Sequence, residues 1–313
     1  MNFKLFRPLS YGSIQKSLGH SHCEFKSWIA TGKYQVSNIS TNGDVELHVL
    51  DHAALAETIG YDFARFSCAS FESMREISSD SAFPKATAWA GIRAYYAAFF
   101  GAHAILRYFG ISCSQIEPSQ ATLLSRYASL YGIQNKAQSG FYAAEFSAQN
   151  NTLKLRKLND THKDTWSTFN AKSRDLSTAI LNVPGLSKDR NDISNLLTSI
   201  SDSLSSSGRS ASGNWLSTFR NNLNYRHDYH AWYPYKKHSL KFEQIERYLN
   251  DWQDPEFNPN LGLLEKDERI RFFGSCAAIV YLASGIAADL ASNAEKGSIH
   301  RTRTARFSSI VRA

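Results

Sequence analysis

A chain of 313 residues, 42% hydrophobic and 13% aromatic, carries enough apolar side chains for a sizeable core, which excludes a disordered segment and fits one large domain or two modest ones. A net charge of +7 makes acidic partners such as nucleic acid plausible without selecting one. Cys23, Cys68, Cys113 and Cys276 lie far apart with no C-x-x-C pair, which argues against a zinc site or a disulfide scaffold and for buried, reduced thiols.

The opening stretch MNFKLFRPLSYGS has neither the apolar run nor the small-residue cleavage site of a secretion signal, so the expected compartment is the reducing cytoplasm. The first fifty residues read as irregular and β-like, with two β-prone runs around Asn42-Gly43, a hairpin signal. From about Asp51 to Ser79 apolar residues recur at helical spacing. A second core helix, KATAWAGIRAYYAAFFGAHAILRYFG, follows Pro84 and closes at Gly110. Residues 119–132 predict another helix, and GFYAAEFSAQNNTLKLRKL alternates around Asn150-Asn151 as a hairpin does.

Residues 160–212 are rich in Ser, Asn and Asp, with helices expected over 164–182 and 188–204 and a flexible loop in SDSLSSSGRSASGN. A helix from about Ser212, with Asn214 as N-cap, precedes a helix over 239–252, a Pro/Asn loop and a long last helix over 264–295. Within that last helix the uncharged run 272–288, FFGSCAAIVYLASGIAA, approaches membrane-spanning length but is rich in Gly, Ala and Ser, so a buried core helix is expected. The tail HRTRTARFSSIVRA is basic and is expected to be mobile. No glycine-rich phosphate loop, H-E-x-x-H, G-x-S-x-G or metal-spaced carboxylate cluster occurs, which weighs against ATP hydrolysis and two-metal nuclease chemistry.

The densest chemistry lies in WLSTFRNNLNYRHDYHAWYP, residues 215–234. Arg220 and His227 are seven positions apart, so on a continuous helix they return to nearly the same face two turns on. The asparagines between them are mediocre helix formers and suggest a fraying end. An imidazole near its neutral pKa can move a proton at a ribose 2′-hydroxyl or a leaving 5′-oxygen, while a guanidinium holds two phosphoryl oxygens. Together they suit metal-free RNA cleavage through a 2′,3′-cyclic phosphate, a route closed to DNA.

Other candidates have plainer readings. RKLNDTH places Arg156 and His162 six apart, a spacing that chance supplies and that lies where a hairpin gives way to a polar loop. Arg93 is expected to snorkel to the surface and His103 to be a satisfied core histidine. His20 and His22 lack further ligands for a metal beyond Cys23. HAWYPYKKH, 230–238, interleaves aromatics with lysines and fits base stacking and a packed turn equally well.

Arg220-Asn221, then five further residues, then His227-Asp228-Tyr229, with six positions between Arg220 and His227, resembles the R-x(4–6)-H signature of the HEPN superfamily (higher eukaryotes and prokaryotes nucleotide-binding domain). AGIRAYYAAFFGAHAILRYFG, 90–110, is similar to the Ala/Tyr-rich core helix that precedes the motif in that superfamily. The resemblance covers roughly 50–115 and 212–295. It implies a mainly α protein: a partly β N-terminal extension (1–50), a HEPN-like helical bundle in two parts (51–115 and 212–295), an insertion (116–211) and a basic tail (296–313).

The resemblance further implies a metal-independent, cofactor-free endoribonuclease of toxin–antitoxin or antiphage defence, acting on tRNA or mRNA as a homodimer with a composite active site. Arg220 would bind the scissile phosphate and His227 transfer protons, with Asn221, Arg226 and Tyr229 supporting or touching RNA. Tyr229 would be a site for adenylation by an antitoxin, a possible partner alongside other defence proteins; no membrane is involved. The alternatives are a non-catalytic HEPN-like module that binds RNA, nucleotide or a protein, and a structural helix whose Arg220 and His227 favour its own C-terminus.

Overall fold

The computed structural model describes residues 1–20, 22–78, 82–205, 210–226, 229–254 and 256–304. Two turns of 3-10 helix, Phe3–Leu9 and Gly12–Lys16, and the short helix α1 (Phe25–Ala30) fill the start of the chain, which the sequence reads only as irregular. Strands β1 (Tyr34–Ile39) and β2 (Val45–Val49) form the expected hairpin, with Gly43 at φ +93° in its turn.

Helix α2 (His52–Met74) is capped by Asp51, whose carboxylate accepts from the Ala54 backbone at 2.8 Å. Helix α3 (Ala88–Tyr108) is buried almost all round because Ala and Gly alternate with aromatics along it, which lets α2 and later helices approach closely. Gly110 at φ +77° turns the chain into β3 (Ile111–Ile116), a strand the sequence reading missed. Helix α4 (Pro118–Leu130) and the hairpin β4 (Gly140–Ser147) with β5 (Thr152–Leu158) follow, Asn151 taking positive φ at the turn.

The strands join in one antiparallel sheet of order β1-β2-β5-β4-β3. Its central pairing, Val45 with Leu155 and Leu47 with Leu153, sews the first fifty residues to the stretch between the two bundle segments. The protein is therefore mainly α with a small antiparallel sheet.

Helices α5 (Lys163–Ala179) and α6 (Ser187–Leu204) pack as a pair, pinned by Ser201 donating to Asn170 at 2.7 Å. Helix α7 is Trp215–Tyr225, starting three residues later than expected, and Asn214 stands at its N-cap without a side-chain hydrogen bond. The helix expected over 239–252 is broken into 3-10 turns around α8 (Glu246–Asn250), and the Pro/Asn loop contains α9 (Pro259–Leu263). Helix α10 (Glu268–Asn293) is long and apolar enough to cross a membrane, but 78% of its apolar window is buried within the protein.

Two close approaches set the bundle. A Cβ on Gly91 of α3 would stand 2.5 Å from Leu223 of α7, and one on Gly274 of α10 would stand 2.4 Å from the Gly262 backbone of α9. The tail is not free throughout: His300 and Thr304 are buried against α2 and α10, while 305–313 lie outside the described residues. Cys113 and Cys276 are buried thiols; Cys23 and Cys68, expected buried, are only half so.

Candidate functional site

The sequence places Arg220 on the middle of α7, and the packing of α7 along α3 decides what it meets. Its guanidinium lies 5.0 Å from the centre of the Tyr95 ring. No carboxylate among the described residues pairs with it, and its Nε is buried without a hydrogen-bond partner. A half-buried cation in that condition retains donors for an anion.

Tyr95 is the hub. Its phenol lies 2.9 Å from Nδ1 of His162 and accepts from the Trp166 indole N–H at 3.1 Å. An indole nitrogen can only donate, so the phenol keeps its own proton to give, and Nδ1 of a neutral imidazole is within reach to accept it. In that arrangement the imidazole keeps its proton on Nε2. Burial raises the Tyr95 pKa, and Trp166, Arg220 and Ser217 pull it back. The phenol therefore stays protonated at neutral pH.

The local sequence fixes His162. Asp160 accepts the backbone N–H groups of His162 at 2.9 Å and Lys163 at 2.6 Å, and Asp164 accepts those of Asn159 and Asp160. Asp160 thus satisfies free donors at the start of α5 and Asp164 ties down the residues before it, so NDTHKD is a hydrogen-bonded turn rather than the edge of a polar loop. The ring rests in an aromatic corner, 4.5 Å from Phe99 and 5.8 Å from Tyr95. Burial first, and the positive field of Arg220 second, push its pKa below the ordinary value near 6.5. His162 is thus half-buried and neutral at physiological pH.

The remaining candidates sort by their contacts. His227, with Asp228, lies outside the described residues. The sequence left open whether one helix carries both Arg220 and His227; α7 ends at Tyr225, two residues short of His227, in keeping with the fraying end that its asparagines suggest. Arg226 is exposed at the C-cap in extended conformation, and Asn221 is half-buried. Tyr229 stacks on Phe219 with ring centres 4.3 Å apart and donates to Glu268 at 2.9 Å. Arg93 is exposed and donates to the carbonyls of Arg75 and Glu76, closing the end of α2.

His103 is a core histidine, its Nδ1 accepting from buried Arg107 at 2.9 Å and its pKa pushed well down by burial. Arg156 is exposed on β5, so the RKLNDTH spacing has no structural meaning although its histidine does. Sequence reading missed Tyr95 and Trp166 and set His162 aside as a chance spacing; only the i, i+4 row Tyr95-Phe99-His103 on one predicted helix hinted at a polar stripe in an apolar element. Neither a family model, nor a curated protein, nor a solved structure matches the chain.

Proposed function

We propose that the protein is a metal-independent endoribonuclease with a HEPN-like helical bundle, cleaving RNA by attack of a 2′-oxygen on its own phosphate. The observation that carries this reading is the Arg220 guanidinium, without a carboxylate partner among the described residues, beside a neutral, half-exposed His162. Arg220 grips two phosphoryl oxygens as charge builds on them, and the Nε2–H of His162 donates to the same group. A neutral imidazole suits that task because it stabilises the developing charge without having to lose a proton.

Proton transfer falls to His227, which takes the 2′-proton or returns one to the leaving 5′-oxygen. The products are a 2′,3′-cyclic phosphate and a 5′-hydroxyl. A homodimer would bring two such centres together. Defence against phage, or a toxin–antitoxin pairing, is the setting that the HEPN resemblance supplies. The packing of α2, α7 and α10 around α3 supports the bundle assignment.

One observation favours a second reading. Because α7 stops before His227, the helix itself does not set His227 opposite Arg220, which suits a module that binds RNA phosphate without cutting. The two readings separate in one assay: incubate total RNA and tRNA with wild type, Arg220→Ala, His162→Asn and His227→Ala in EDTA, and analyse the ends. Cyclic-phosphate ends from wild type, with rates down by about 10² or more in Arg220→Ala and His227→Ala, establish the nuclease. Arg220-dependent RNA binding without any cleavage by wild type establishes the binding module instead.

A further inference from the structure

Five aromatic side chains are strongly exposed among the described residues, and four of them fall in two short segments: Phe83 and Trp89 in 82–93, Tyr225 and Tyr233 in 225–241. The segments touch. The rings of Trp89 and Trp232 meet edge to face at 5.5 Å, the Lys85 ammonium donates to the Lys236 carbonyl at 2.9 Å, and the Phe242 N–H donates to the Pro84 carbonyl at 2.9 Å. Trp89 is 65% exposed and Tyr233 79%, a heavy share of apolar surface to leave in water.

The same segments hold Lys85, Arg93, Arg226, Lys236, Lys237 and Lys241 against a single acid, Asp228, a net charge of +5 out of the chain's +7. The face is also tied to the Arg220 site. The Trp232 indole donates to the Leu223 carbonyl at 2.9 Å, fixing its ring to the last turn of α7, three residues beyond Arg220. Along α3, Trp89 precedes Tyr95 by six residues, about 9 Å of helix.

We infer that this face binds the unpaired bases of single-stranded RNA, stacking them on Trp89 and Tyr233 while the surrounding lysines and arginines hold the backbone. The inference rests on the nuclease reading and names its substrate class. Aromatic faces accept any base, and the flanking cations match phosphate. A second copy of the chain is disfavoured as occupant, since a twofold contact through this face would set five net positive charges against themselves. Protein interface cores are moreover depleted in lysine, whereas exposed lysines flank these rings.

The test is fluorescence anisotropy with a labelled 2′-O-methyl single-stranded oligonucleotide, which cannot undergo 2′-attack, and with the same strand in a duplex. Trp89→Ala and Tyr233→Ala are each expected to weaken single-strand binding by about 5- to 100-fold, while Trp89→Phe keeps most of it. Lys236→Gln with Lys237→Gln should lower the salt-dependence slope by about 1.4. All these residues are exposed, and circular dichroism checks that the variants fold.

Unchanged single-strand affinity in both aromatic variants overturns the inference. So does a duplex bound as tightly as the single strand. Loss of self-association in Trp89→Ala by sedimentation, with RNA binding intact, overturns it in favour of a dimer face. If Arg220-dependent cleavage persists while the aromatic variants bind normally, the platform alone fails; if Trp89-dependent binding stands while wild type cuts nothing, the nuclease reading alone fails.

Discussion

The Tyr95 hydroxyl on α3 lies 2.9 Å from Nδ1 of His162 at the start of α5, a contact between residues 67 positions apart. Trp166 donates to the same hydroxyl and Arg220 lies over the same ring, so one phenol organises three elements. The positive field of Arg220 contributes to the low His162 pKa. Removing that charge in Arg220→Ala should raise the His162 titration midpoint toward its ordinary value. Proton NMR of the imidazole reads this; a midpoint that stays put or falls would separate the two residues electrostatically.

The α9–α10 crossing depends on absent side chains. Gly274 lies inside α10, where alanine would ordinarily favour the helix by about 1 kcal/mol. A Cβ there would stand 2.4–2.5 Å from the Cα, carbonyl carbon and oxygen of Gly262, which are backbone atoms with little freedom to move. Overpacking of that kind commonly costs about 1–3 kcal/mol or more, so Gly274→Ala is expected to be destabilising despite the better helix former. Urea denaturation measures the balance, and a stabilised variant would contradict the close crossing.

Asp62 and Arg107 form a buried ionic pair at 3.6 Å, the aspartate also accepting from Arg65 at 2.9 Å. The Arg107 side chain is 1% exposed and that of Asp62 2%. Asp62→Ala leaves a buried guanidinium without its counter-ion, and the expected loss is about 3–5 kcal/mol in chemical denaturation. The Arg107 contacts to His103 and to the Cys113 carbonyl soften this loss without replacing the charge.

His300 ties the end of the described chain to the core. Its Nε2 lies 3.2 Å from the Ser17 hydroxyl, its Nδ1 has no partner among the described residues, and burial lowers its pKa from 6.5 to about 4. The unfolded chain therefore takes up a proton between pH 6.5 and about 4 that the folded chain refuses. The stabilising effect is complete above pH 6.5 and fades as pH falls toward 4, amounting to about 3 kcal/mol. Thermal melts from pH 7 to 4 should show a shallower acid decline in His300→Gln than in wild type; parallel curves would remove His300 as a cause.

Local chemistry alone determined much of this protein. Helical spacing located α2, α3 and α10, turn residues located both hairpins, and the glycine at position 110 marked the end of α3. Strand β3 escaped because its six residues acquire strand character only by pairing with β4. The 239–252 segment broke because burial of Phe242, Ile245, Tyr248 and Trp252 took precedence over continuous helix. At the site, spacing singled out Arg220 but passed over His162, whose neighbours are 67 and 58 positions away. Periodicity reports contacts within one element, whereas tertiary packing decided which face of α3 received α5 and α7. That choice brought Tyr95, His162 and Arg220 together, because the three belong to elements far apart in the chain that meet only in the folded protein.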